Sequence, residues 1–168
     1  LKAYIMSNIT DTYGNVPYSD AAKIPLQKDG ISYTTSYDDM KSIYASLFAL
    51  LEEANDAFVK ADELLSSGTL SDVNFSALCD YMYEGDVDKW RRFGNSLYLR
   101  LLMRASLKVE EEGGVADMSG TGRDDFTVRD KIAEIYDCFV SGQGNYPVMR
   151  SREDAALVGF SKYNSALY

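Results

Sequence analysis

Histidine is absent from the chain. With it go the commonest general acid/base, the commonest metal ligand and every Ser-His or Cys-His nucleophile system. No apolar run approaches the roughly 20 residues that a membrane-spanning helix needs. Cysteine is scarce: Cys79 and Cys138 lie within or beside apolar stretches and have no C-x-x-C spacing, which reads as buried unpaired thiols and leaves the redox compartment open. Positive charge is short as well, since 17 Lys and Arg stand against 26 Asp and Glu for a formal net charge of −9. Such a chain repels a phosphate backbone, whose binding rests on Lys and Arg releasing counterions, so nucleic acid is not an expected partner. Anionic lipid is disfavoured for the same reason, and any membrane attachment has to come from an anchor outside this chain.

What is present is the mix of a globular protein, 46% hydrophobic and 26% charged residues over a length of 168. That length suits one domain or one segment of a larger one. The chain opens on Leu1, with no basic region before an apolar stretch, and closes on Ser165-Ala166-Leu167-Tyr168 without a stop signal. Residues 1–168 are therefore expected to be part of a single helical domain, truncated at both ends.

Helical periodicity dominates. Leu1, Ile5, Ile9 and Thr12 share one side of a first helix that stops at Tyr13-Gly14. Residues 15–36, with Pro17, Pro25 and Gly30, show no sustained period and form a long loop. A long helix then starts within Ser36 to Asp39. Its seam of Met40, Tyr44, Leu47, Leu51, Ala54, Phe58, Ala61 and Leu65 alternates steps of four and three and ends at Ser66-Ser67-Gly68. A third helix, capped by Asp86 or Asp88 and running from Lys89 to about Val109, is apolar nearly all round and should be central. Arg92, Arg100 and Arg104 share one strip of it, which predicts buried salt-bridge anchors between helices at Arg100 and Arg104. The acidic, Gly-rich segment 110–125 is a loop, and a fourth helix follows from Thr127 to Gly142, with a short helical piece expected within Asp154 to Phe160. No period-2 strand is evident. The fold class is all-α, with tetratricopeptide-like stacked helix pairs and long loops, although no 34-residue consensus repeats.

No catalytic constellation emerges. The pairs Asp38-Asp39 and Asp124-Asp125 are adjacent loop or cap acids, unlike glycosidase carboxylates set across a cleft. Asp117, Ser119, Thr121, Gly122 and Asp125 match the start of an EF-hand-like loop, but Val128 stands where the bidentate Glu belongs. Neither metal nor cofactor is expected, and the chain does not read as an enzyme.

Two stretches carry a family resemblance. Ser7-Asn8-Ile9-Thr10-Asp11-Thr12-Tyr13-Gly14-Asn15-Val16-Pro17-Tyr18 resembles a helix ending in a tyrosine-glycine turn with a Val-Pro-Tyr exit. Gly85-Asp86, Lys89-Trp90, Phe93-Gly94-Asn95-Ser96-Leu97, Leu99-Arg100-Leu101 and Met103-Arg104 resemble the second signature of the SusD/RagB family. The similarity spans roughly residues 1–110, and Gly94 departs from it, standing where that family usually has alanine. The resemblance implies a lipid-anchored protein on the cell surface of a Gram-negative outer membrane. Such a protein binds oligosaccharide or polysaccharide and delivers it to a SusC-like TonB-dependent transporter. It implies structural roles for Tyr13, Gly14, Pro17, Tyr18, Gly85, Asp86, Trp90, Asn95, Arg100 and Arg104, with sugar held by loops and by a variable region that this chain mostly lacks. The alternative is a tetratricopeptide-like protein–protein scaffold without a ligand of its own; a glycan hydrolase comes third.

Sugar recognition calls for flat aromatic faces flanked by Asn, Asp or Arg. Of the 13 tyrosines, Tyr4, Tyr44, Tyr98 and Tyr136 fall on helical seams and are assigned to the core, and Tyr13, Tyr18, Tyr37 and Tyr83 fall in turns. The loop residues left as glycan-binding candidates are Tyr33, Tyr81 and Tyr146, with Asn145 beside the last.

Overall fold

The two long helices each begin where an aspartate side chain takes up an orphan backbone N–H. In the computed structural model, which describes residues 1–21, 34–68, 80 and 82–157, Asp39 accepts from Ser42 N at 3.0 Å to open helix α2 (Met40–Ser66). Asp86 accepts from Lys89 N at 3.0 Å to open α3 (Val87–Glu111). Helix α1 (Lys2–Tyr13) precedes them. Helix α4 (Val128–Ser141) follows and ends on Gly142 in the left-handed conformation, φ 75°, where a side chain would be strained. The fold is all-α in its described body.

The segment between α3 and α4 departs from a plain loop. Val115–Ala116 (β1) and Phe126–Thr127 (β2) form an antiparallel pair, Val115 opposite Thr127. Two residues a side is too short for the alternation that announces a strand. The helical piece expected within Asp154 to Phe160 is not formed over 155–157; a single 3-10 turn, Arg152–Asp154, precedes it, and residues 158–160 lie outside the described residues.

Helix α2 packs on α1 and α3, and α3 on α2 and α4, a sequential stacking like that of tetratricopeptide helices. Ile43, Leu47, Phe48 and Leu51 of α2 meet Leu97, Tyr98, Leu101 and Leu102 of α3, and Ile135 and the free thiol of Cys138 add the α4 side. Cys79 lies outside the described residues.

Three expectations are corrected. The apolar stripe of α1 faces outward, with Ile5 53% exposed, and the buried face is Ala3, Ser7 and Thr10. Small residues let α1 approach closely, and their hydroxyls are satisfied on the spot: Ser7 Oγ donates to Tyr4 O at 2.8 Å and Thr10 Oγ1 to Gly14 O at 2.7 Å. Of the four tyrosines assigned to the core, Tyr44 and Tyr98 are buried whereas Tyr4 and Tyr136 are exposed, because α1 and α4 flank the stack and cover only one face each. Finally, the α2 seam is buried at Tyr44, Leu47 and Leu51, whereas Ala54, Phe58 and Ala61 are half-buried and Leu65 is exposed.

Candidate functional site

Arg91, Arg92, Asn95 and Ser96 of α3 act together as a clamp. Arg91 Nη2 donates to the main-chain oxygen of Asn145 at 2.8 Å, and Asn95 Nδ2 to that of Pro147 at 3.0 Å. Ser96 Oγ accepts from Met149 N at 2.9 Å, and Arg92 pairs with Asp154 at 2.9 Å and with Asp88 at 2.6 Å. The chain from Asn145 to Asp154 is thereby strapped along α3. Asp154 closes the strap by accepting from Arg150 N, and that N–H, with Ser151 N and the Arg92 guanidinium, holds its carboxyl below the ordinary aspartate range against the opposing effect of burial. Arg150 also reaches Phe139 O on α4.

Beneath the strap lies a polar node. Glu52 on α2 accepts from the Tyr98 hydroxyl at 2.8 Å and from the Tyr146 hydroxyl at 2.6 Å, with Lys131 Nζ of α4 at 3.5 Å. Lys131 also donates to Tyr146 Oη at 3.2 Å and to Glu134 at 2.8 Å. Burial, reinforced by the Glu52 bond, pushes the Tyr146 phenol up to about 12, and burial raises Tyr98 too. Burial works against the Lys131 ammonium, yet its bonds to Glu134 and Tyr146 and the Glu52 charge keep its pKa above the usual lysine value. Glu52 and Asn55 were not singled out from sequence. The available signal is that they continue the line of Phe48 at steps of four and seven, polar residues on a buried stripe.

Tyr146 is 7% exposed, so it lies in the core and not on an open loop. Its strap holds it down against Tyr98 and Glu52. Asn145 beside it keeps an exposed side chain, and Tyr33 and Tyr81 lie outside the described residues. Trp90 donates its indole N–H to Asp80 at 2.7 Å and meets Tyr83 and Phe93 edge to face. Asp80 also accepts from Met82 N, Tyr83 N and Gly85 N and so shapes the turn at Gly85-Asp86. Arg104 does join two helices, through a 2.8 Å pair with Asp11 of α1, but its side chain is 54% exposed and the anchor is not buried. Arg100 is exposed and lies over the Tyr4 ring at 5.9 Å. Both arginines reach across to α1 from an exposed side of α3, Arg104 to Asp11 and Arg100 to the Tyr4 ring. At the 117–125 loop, Asp117 accepts from Ser119 N at 2.9 Å and Asp125 from Met118 N at 2.7 Å.

Two clefts open beside α2. The larger, about 660 Å³, is floored by Met40, Tyr44, Ala105 and Val109, with Lys41 paired to Glu112 at 2.8 Å on its rim. The smaller, about 390 Å³, lies along Ser46, Ala49, Leu50 and Glu53, between Tyr18 and the loop residues Thr121 and Arg123.

Stacked helices strapped in this way make an all-helical, tetratricopeptide-like stack. The chain belongs to the SusD-like family described as starch-binding and associating with the outer membrane, whose model matches residues 1–167. Among solved structures it is similar to an outer membrane protein of Bacteroides vulgatus ATCC 8482, described as a candidate for nutrient binding. Identity is 24%, the TM-score is 0.65, and the match covers 96% of this chain and 28% of that one. A SusD homologue of Bacteroides uniformis ATCC 8492 matches at 22% identity and TM-score 0.62, over 95% of this chain and 25% of its own. A SusD homologue of Bacteroides thetaiotaomicron VPI-5482 matches at 24% and 0.58, over 99% and 26%. The chain thus spans about a quarter of the length of these structures, which share its fold. No curated protein matches it.

Proposed function

We propose that this chain is part of a non-catalytic glycan-binding protein of the cell surface, which captures oligosaccharide and delivers it to a SusC-like TonB-dependent transporter. The observation that carries this reading is the family match over residues 1–167 to starch-binding, outer-membrane-associating proteins. On the same reading residues 1–168 form one segment of a larger helical domain, and a lipid anchor outside them holds the protein to the outer membrane. The strap and the Glu52 node suit that role, because they fix helices that must present loops in constant geometry. Asn145, Tyr33 and Tyr81 are the proposed loop contacts, while Tyr146 anchors the strap that carries Asn145.

Affinity electrophoresis of the native, full-length protein through gels containing starch or other soluble polysaccharides tests the proposal. Retardation by at least one polysaccharide is expected. Unretarded migration in all of them, with capture of a folded protein partner instead, would favour the scaffold alternative.

A further inference from the structure

We propose that the smaller cleft is a contact site for a neutral oligosaccharide, with Arg123 and Glu53 as its polar contacts and Tyr18, Ala49 and Leu50 as its apolar face. The assignment rests on the glycan-binding reading above and adds a place and a ligand class to it.

The floor comes from one face of α2, where Ser46, Ala49, Leu50 and Glu53 recur at helical spacing. Ser46 and Ala49 are small, so a ligand can approach the helix closely, and Leu50 supplies a surface for the C–H face of a pyranose ring. The volume of about 390 Å³ falls within the range of about 300–1,000 Å³ common to small-molecule sites.

Both walls are fixed by bonds behind them. Tyr18 N and Ser19 N donate to Asp38 Oδ2 at 2.8 Å, and Val16 bridges to Asp38, which ties the Tyr18 segment to the chain that enters α2. Lys2 Nζ lies 4.7 Å from the Tyr18 ring centroid. Opposite in sequence, Thr121 Oγ1 donates to Met118 O at 2.7 Å while Asp125 takes Met118 N, so the loop bearing Arg123 is closed on itself. Arg123 Nη2 is aimed by a 2.8 Å pair with Asp56. A guanidinium has five N–H donors, and one carboxylate oxygen leaves most of them for a ligand. An exposed pair of this kind contributes little to stability, so loss of the Arg123 side chain should leave the fold intact.

The charges decide the ligand class. Glu53 and Arg123 line the cleft with opposite charge, and behind them Asp56 pairs with Arg123 and Lys2 lies against the Tyr18 ring, within a chain of net charge −9. Acidic sugars would gain nothing there and would meet Glu53. A neutral sugar offers hydroxyls both to donate to Glu53 and to accept from Arg123, in the arrangement that charge-assisted hydrogen bonds favour.

The test is calorimetric titration of the native, full-length protein with maltoheptaose, cellohexaose and oligogalacturonate, alongside Arg123→Ala, Arg123→Lys and Glu53→Ala. These side chains are exposed, and unchanged melting curves verify the fold of each variant. The expected result is binding of a neutral oligomer that weakens about tenfold in each variant, because lysine lacks the planar fork. Neutral-sugar binding that all three variants retain, or preference for oligogalacturonate, would overturn the cleft assignment and leave the glycan reading standing. Failure of the native protein to bind either neutral oligomer would overturn the cleft assignment, while the glycan reading is decided by the polysaccharide gels.

Discussion

The carboxylate of Glu52 accepts a 2.6 Å hydrogen bond from the hydroxyl of Tyr146, 94 residues further along the chain. The same carboxylate serves Tyr98 and Lys131, so α2, α3, α4 and the strap meet on one side chain that is 13% exposed. Glu52→Ala leaves the Tyr98 hydroxyl and the Lys131 ammonium without that acceptor inside the stack, and should cost about 3 kcal/mol. Tyr146→Phe should cost about 1 kcal/mol. Chemical denaturation of the single and double variants checks both, and additive losses would dissolve the node into independent contacts.

Asp11 joins α1 to two helices, taking the Tyr44 hydroxyl at 2.5 Å and Arg104 Nε at 2.8 Å. Burial together with the Asp11 bond lifts the Tyr44 phenol to about 12. Because Arg104 is more than half exposed and Tyr44 is buried, Asp11→Ala should lower the melting temperature more than Arg104→Ala does. A larger loss from Arg104→Ala would restore the buried-anchor expectation.

Asp154 carries a pH dependence of known sign. Its carboxyl is held below the ordinary aspartate value of about 3.9, chiefly by the Arg150 backbone N–H, so the folded state binds that proton more weakly than the unfolded chain. Its contribution is therefore complete above that ordinary value and is lost as pH falls through the depressed one. Asp154→Asn should lower stability at neutral pH, with the gap from wild type narrowing in acid. An equal gap at pH 7 and in strong acid would show that the ionised form is not what the strap uses.

Gly94 and Gly144 should respond oppositely to alanine. A methyl at Gly94 meets open space within α3, so Gly94→Ala should gain up to about 1 kcal/mol of helix stability. At Gly144, φ +125° and the nearby Cys138 Sγ leave no room, and Gly144→Ala should destabilise. Thermal melts of the two variants check the pair.

Outward apolar side chains predict how residues 1–168 behave alone. Leu1 before α1 and Tyr13 at its end are each 76% exposed, with Ile5 and Ile9 exposed between them, and Leu157 is exposed near the other end of the described chain. Such a stripe favours association. The isolated chain should self-associate or bind a hydrophobic dye, as read by light scattering and dye fluorescence, and a dye-negative monomer would contradict this.

The helices were legible because Leu47, Leu51, Leu97 and Leu101 repeat at helical spacing and Asp39, Asp86 and Gly142 mark ends by local chemistry. Which face of a flanking helix is buried was not legible. Ile5 and Ile9 of α1 look like core, but close approach to α2 selects Ala3, Ser7 and Thr10, a choice made by the neighbour. Arg104 likewise read as buried because its helix is full of leucine, while it reaches across to α1 from an exposed side of that helix. The strap was invisible for a different reason: Arg91 and Asn95 bond to main-chain oxygens of Asn145 and Pro147, and a carbonyl carries no sequence identity. The smaller cleft draws on α2, the Tyr18 segment and the 121–123 loop, which no spacing along the chain relates.

The central claim is capture of glycan without chemistry. Titration calorimetry of the native, full-length protein with soluble oligosaccharides, followed by chromatography of the recovered sugar, tests it most directly. The account predicts saturable binding with the oligosaccharide returned at its original length. Absence of binding, or shortened products with new reducing ends, would contradict it.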